Sequence, residues 1–116
     1  MTEERVTVDA FREAMSCVAS SVSVVTSDGP AGRAGMTVSS MCSVSDDPPS
    51  VLVCVHRKAQ ASEIIQTNGS LCVNVLHEDQ DYVSVAFSED HLDANVDLFV
   101  SGDWDRLQTG APALLS

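Results

Sequence analysis

Thr37, Ser39 and Ser40 set short hydroxyl side chains along a few residues of chain, and further on His56-Arg57-Lys58 forms the densest run of positive charge in the sequence. An arginine grips a phosphate with a planar fork of donors, and a lysine acts on it as a point charge. Ser62 follows at the start of a helical pattern, where a hydroxyl and the positive end of the helix dipole act together on an anion. Backbone N–H groups around Ser40–Cys42 add donors, and Met36, Val38, Val53 and Val55 supply apolar walls for a planar ring. Together these residues suit a ligand with a flat apolar part and an anionic tail. Spacing alone leaves a second reading open, a serine-rich edge strand beside a solvated basic turn, because exposed strand faces are commonly polar.

Other chemistries find less support. The candidate bases are His56, His77 and His91, but no G-x-S-x-G elbow or cysteine-protease context accompanies them. His77-Glu78-Asp79 reads as a solvated helix start, so no metal site is expected. Cys17, Cys42, Cys54 and Cys72 form no C-x-x-C pair, and zinc sites bring ligands in close pairs. They are expected to be reduced, buried thiols of a cytoplasmic protein. No G-x-G-x-x-G or G-x-x-x-x-G-K-[ST] loop is present. No residue is singled out as a catalytic acid or base.

The formal net charge is −11, which argues against nucleic acid and anionic membrane surfaces as partners. An anionic ligand therefore needs a local positive site, and residues 56–58 are the place for one. The chain has 116 residues, long enough for one domain over 1–116 with a real core. Only five residues are aromatic (one Trp, one Tyr, three Phe), so that core must be largely aliphatic. No apolar run approaches the ~20 residues of a membrane-spanning helix, and no signal-peptide pattern opens the chain.

The elements that must position these residues follow from periodicity. Phe11, Met15 and Val18 recur at helical spacing, which predicts a helix over Asp9–Ala19, capped by Asp9 and covering one end of a barrel. Ser20–Thr26 alternates and is β-branched, a strand signal. Ser27–Gly32 is turn chemistry, and a second strand is expected over Ala34–Val44. Asp46-Asp47-Pro48-Pro49 makes a tight turn into a third, apolar strand, Ser50–Val55. Prolines keep either strand from running through that turn. A helix over Gln60–Asn68 stops at Gly69, followed by a strand over Leu71–Leu76 and a helix over His77–Phe87 with its acids in the first turn. Ser88–Val100 has only a weak helical period, and Trp104–Leu107 reads as a short strand. Hairpin-length connections demand antiparallel pairing, so the expected fold is mainly β, an antiparallel barrel with peripheral helices.

The segments FREAM (11–15), SVSVVTSDGPAG (21–32), GMTVSSMCSVSDDPPSVLVCVHRKAQAS (35–62) and NGSLCVNVL (68–76) resemble the short-chain flavin reductases. These are the small reductase components of two-component flavin-dependent monooxygenases, such as the 4-hydroxyphenylacetate, phenol and chlorophenol hydroxylases. The likeness runs from about Phe11 to Phe87. It implies an FMN-binding split β-barrel, a homodimer with flavin (FMN or FAD) near the subunit interface, and hydride transfer from NADH or NADPH to that flavin. Reduced flavin then passes to an oxygenase partner. By this resemblance Gly35, Met36, Thr37 and Val38 line the isoalloxazine, and Ser39, Ser40, Met41 and Cys42 follow the ribityl chain towards the phosphate. Cys54, Val55, His56 and Arg57 fall on the second flavin-binding strand, Lys58 and Ser62 at its phosphate end, and Phe87 on an aromatic that closes the site.

Hydride transfer between two bound rings requires alignment and exclusion of water rather than a protein nucleophile. The lack of a triad therefore agrees with the resemblance. Three departures stand out. His56 replaces a frequent Asn, Ser88–Glu89 replaces Ala-Gly, and relatives continue past GAPALLS with strands that complete the barrel and bind the nicotinamide nucleotide. The chain is thus expected to be a fragment or a short relative, with unpaired edges that need a partner. A flavin-binding or interaction module without reductase activity is the alternative, and a split-barrel oxidase of pyridoxamine phosphate a third.

Overall fold

The computed structural model describes residues 4–19, 21–88, 99 and 102–115. The order is α1 (Val8–Ser16), β1 (Ser23–Ser27), β2 (Ala34–Val38), β3 (Met41–Asp46), β4 (Pro49–Val53), α2 (Gln60–Asn68), β5 (Cys72–Val75), a 3-10 turn (Glu78–Gln80), α3 (Asp81–Ser88), β6 (Trp104–Arg106) and β7 (Pro112–Leu114). Every ladder is antiparallel, in three sheets ordered β2-β1-β5, β3-β4 and β6-β7.

β1 is the centre of the larger sheet. Val24 faces Thr37 on one side and Asn74 on the other. The strand begins three residues later and ends one residue later than the Ser20–Thr26 expectation. All five of its residues are buried, so its polar–apolar alternation does not separate an inner from an outer face. The reason is cover from several elements, since α2, α3 and β7 all pack on it. Two of its three hydroxyls are engaged: Thr26 Oγ1 donates to the Pro112 carbonyl, and Ser27 Oγ donates to the Ser70 carbonyl at 2.7 Å, while the buried Ser23 Oγ has no partner among the described residues.

Asn74 is the polar keystone. It is buried, and its Nδ2 donates to the Val24 carbonyl at 2.9 Å and to Thr26 Oγ1 at 3.2 Å, while Oδ1 accepts from the Leu114 N–H at 2.8 Å. A buried amide must find such partners or cost free energy. Here it joins β5, β1 and β7. Val24, Val83 and Phe87 form the core, with Leu76, Ala86, Phe99, Trp104 and Leu114 packed around them. Phe87, Phe99 and Trp104 meet edge to face at centroid distances of 5.0–5.6 Å, an arrangement their quadrupoles favour.

Several expectations need correction. The strand predicted over Ala34–Val44 is two strands, because the chain leaves the β1 ladder after Val38 and joins β4 from Met41. β1 begins at Ser23, opposite Val38, so the ladder has no partner to offer Ser39 and Ser40. α1 is capped by Thr7, whose Oγ1 accepts from the Ala10 N–H at 3.1 Å; Asp9 instead lies in the first turn. The helix stops at Ser16, whose hydroxyl donates to the Glu13 carbonyl and competes with the backbone ladder. Its apolar face does not cover a barrel end: Phe11 is 58% exposed, and Met15 and Val18 are exposed as well.

Pro49 opens β4, paired with Asp46, and a bulge at Val44 shifts the hairpin register between Ser43 and Ser45. Pro49 stands at the first residue of its strand, where a missing N–H is tolerated. α2 has the predicted bounds and ends on Gly69 at φ 74°, a left-handed conformation that favours glycine. The helix predicted over His77–Phe87 is α3 with a 3-10 turn ahead of it, closed by a capping box between His77 and Gln80. Trp104 opens the short strand expected there. Most of Ser88–Val100, with His91, lies outside the described residues. Among the described residues no helix is long and apolar enough to cross a membrane.

Candidate functional site

The residues singled out from the sequence follow one continuous path. β2 carries Gly35, Met36, Thr37 and Val38 and packs against both α2 and α3. Ser39 and Ser40 make the exposed step between sheets, and Met41 and Cys42 begin the hairpin. On the return strand Met41 faces Val53, and one step further the Cys54 N–H donates to the Ser40 carbonyl at 3.0 Å. The hairpin thus brings Ser40 beside Cys54, the meeting of hydroxyl step and return strand that the spacing suggested. Val55 is half-buried and leads into His56, Arg57 and Lys58, all exposed.

The turn between hairpin and helix is tightly built. His56 Nδ1 accepts from the Lys58 N–H at 3.1 Å, and the His56 carbonyl accepts from the Ala59 N–H at 2.9 Å. These bonds lead the chain directly into α2. Ala59 is the N-cap, and it has no side chain to satisfy the first N–H groups of the helix. Those orphan donors and the dipole attract an anion. Ser62, in this first turn, is 8% exposed, and its Oγ accepts from Gln66 Nε2 at 3.2 Å. Among the described residues Arg57 and Lys58 have no carboxylate partner, whereas Arg33 and Arg106 both engage Asp28. Uncapped N–H groups, a serine hydroxyl and two uncommitted cations are a donor set that fits a phosphate.

Two of the predicted residues have other engagements. Thr37 Oγ1 donates to the Ser84 carbonyl at 2.6 Å, which ties β2 to α3. Phe87 is 4% exposed and belongs to the core, its ring packed over Gly35. The cysteines also differ from expectation. Cys17, Cys42 and Cys54 are exposed, and only Cys72 is half-buried. Cys17 is the C-cap of α1, Cys42 lies on β3 and Cys54 directly follows β4, all at exposed positions. Burial pushes the Cys72 thiol above its ordinary range, with the Thr26 hydroxyl offsetting part of the shift.

Sequence reasoning missed Asn68. Its Nδ2 donates to Ser27 Oγ and to the Gly32 carbonyl, and its Oδ1 accepts from the Ala31 N–H, fastening the end of α2 to the β1–β2 turn. An Asn next to a helix-ending glycine was its only local signal. A cleft of about 290 Å³ lined by Cys72, Asn74, His77, Gln80, Leu107 and Leu114 shares no residue with the path described above.

The chain is a small antiparallel β protein in which a hydroxyl-rich strand step, a hairpin and a cationic helix start follow one another. The chain belongs to the flavin reductase like domain family, which matches residues 15–116. It is 50% identical over 106 residues to an "FMN reductase (NADH) RutF 1" of Methylorubrum extorquens, covering 90% of this chain and 51% of the relative. It therefore spans about half the length of that curated relative. A crystal structure of a Haemophilus somnus 129PT protein assigned as a flavin reductase superposes with a TM-score of 0.87 at 39% identity, covering 94% of this chain and 69% of that one. The styrene monooxygenase flavin reductase of Pseudomonas putida S12 superposes at 0.74 with 30% identity, covering 90% and 65%. The fold is accordingly that of the flavin reductase split barrels.

Proposed function

We propose that the chain acts as an NAD(P)H:flavin oxidoreductase that supplies reduced FMN or FAD to a partner flavin-dependent monooxygenase. The observation that supports this reading is the stretch from hairpin to α2, where exposed Arg57 and Lys58 directly precede an uncapped helix start that carries Ser62, in a member of the flavin reductase family. The names of its relatives support FMN and NADH as the reacting pair and a monooxygenase as the consumer. A homodimer is part of the same reading. Its support is α1 and the hairpin, which leave Phe11, Met15, Val51 and Leu52 exposed. The unpaired cysteines support a cytoplasmic setting.

Bound flavin supplies the ring that accepts hydride. The chain's own residues bind and orient it. Arg57 and Lys58 would neutralise its phosphate, Ser62 would donate to it, and the residues of β2 would line its ring. None of these residues has to move a proton, so the contribution is alignment and charge.

The test is steady-state oxidation of NADH by the purified protein with FMN added. Flavin-dependent turnover is expected. Flavin binding without turnover would overturn the reductase reading and leave a flavin-binding module.

A further inference from the structure

Gln66 lies four residues beyond Ser62 on α2, on the same helical face. Its side-chain amide donates to Ser62 Oγ, and among the described residues this is the only hydrogen bond of that hydroxyl. A serine hydroxyl has one hydrogen to donate and two sites that accept. With the amide filling an accepting site, the hydrogen stays free although Ser62 is 8% exposed. Ser62 stands in the first turn of α2, which has no side-chain cap.

We infer that Gln66 is a positioning residue for the flavin phosphate. It holds Ser62 as a donor toward the anion and keeps the hydroxyl from turning back along the helix to spend its hydrogen on a backbone carbonyl. The inference rests on the reading that the first turn of α2 holds the phosphate. Gln66 itself is exposed and makes no other side-chain hydrogen bond among the described residues, so its effect runs through Ser62. The chemistry is directional. An amide in this position donates to the serine, whereas a carboxylate can only accept, and would take the hydrogen that the phosphate needs.

The experiment compares FMN with riboflavin, which lacks the phosphate, by fluorescence titration. Native protein is expected to bind FMN more tightly than riboflavin. Gln66→Leu is expected to weaken FMN binding about three- to tenfold, the range of one modest hydrogen bond, and to leave riboflavin binding unchanged. Gln66→Glu is expected to weaken FMN further, and Gln66→Lys, which keeps a donor, to restore it. On a Ser62→Ala background, Gln66→Leu should add nothing. Native-like FMN binding by Gln66→Leu, an equal loss for both ligands, or a full penalty on the Ser62→Ala background would overturn the inference. Equal affinity of the native protein for FMN and riboflavin would overturn the phosphate reading itself. That result comes from the unsubstituted chain, so the two failures are distinguishable.

Discussion

The Phe87 ring occupies the space that a side chain on Gly35 would need. A Cβ built on Gly35 would fall 2.6 Å from Phe87 Cδ1 and closer still to Cε1. The glycine of β2 is therefore a packing requirement, since its absent side chain lets α3 lie close against the strand proposed to support the flavin ring. Gly35→Ala is expected to cost about 1–3 kcal/mol by overpacking, measured as a lowered denaturation midpoint. Adding Phe87→Leu should recover part of the loss. If the Ala variant is as stable as the native chain, the close approach is not a constraint.

Arg57→Ala bears on the phosphate reading without touching the core, because Arg57 is exposed and, among the described residues, has no ion-pair partner. Removing a charge-assisted hydrogen bond of about 1.5–3 kcal/mol should weaken FMN binding roughly ten- to a hundredfold and hardly alter riboflavin binding. Equal effects on the two ligands would make Arg57 a structural residue.

Asn74→Leu should be far more damaging than its conservative volume suggests. It deprives the Leu114 N–H, the Val24 carbonyl and Thr26 of their shared partner. Each buried group left unsatisfied costs about 1–3 kcal/mol, so a loss of several kcal/mol in a urea titration is expected. Proteolysis should then cut first in the β6–β7 region, which Asn74 tethers.

The thiols should sort by location. At neutral pH Cys17, Cys42 and Cys54 are expected to react readily with a maleimide, and Cys72 slowly, because its thiol is half-buried and held above the ordinary range. A raised thiol pKa in the folded state stabilises the fold below the unfolded value of about 8.5 and ceases to do so as pH rises through the folded value. Stability should therefore fall in alkaline solution, and Cys72→Ala should flatten that fall. Equal labelling rates for all four thiols would contradict the burial of Cys72.

Local physics in the sequence was enough for α2, with its Asn68-Gly69 stop, for the Asp46–Pro49 turn, and for the concentration of cations at residues 56–58. These features depend on backbone preference and neighbouring charge, which a short stretch of chain settles alone. The resemblance carried by residues 35–62 drew the same stretch into a flavin cradle. Tertiary structure decided what periodicity could not. It split the long hydroxyl strand at Ser39–Ser40, because the length of the ladder depends on where β1 begins. It buried all of β1 under α2, α3 and β7, and so erased the meaning of its alternation. It engaged Thr37 with Ser84 and placed Phe87 on Gly35, contacts far apart in sequence for which no local pattern exists. The hydroxyls and cations were legible because each is a property of one residue; their partners were not, because a partner is a property of the fold.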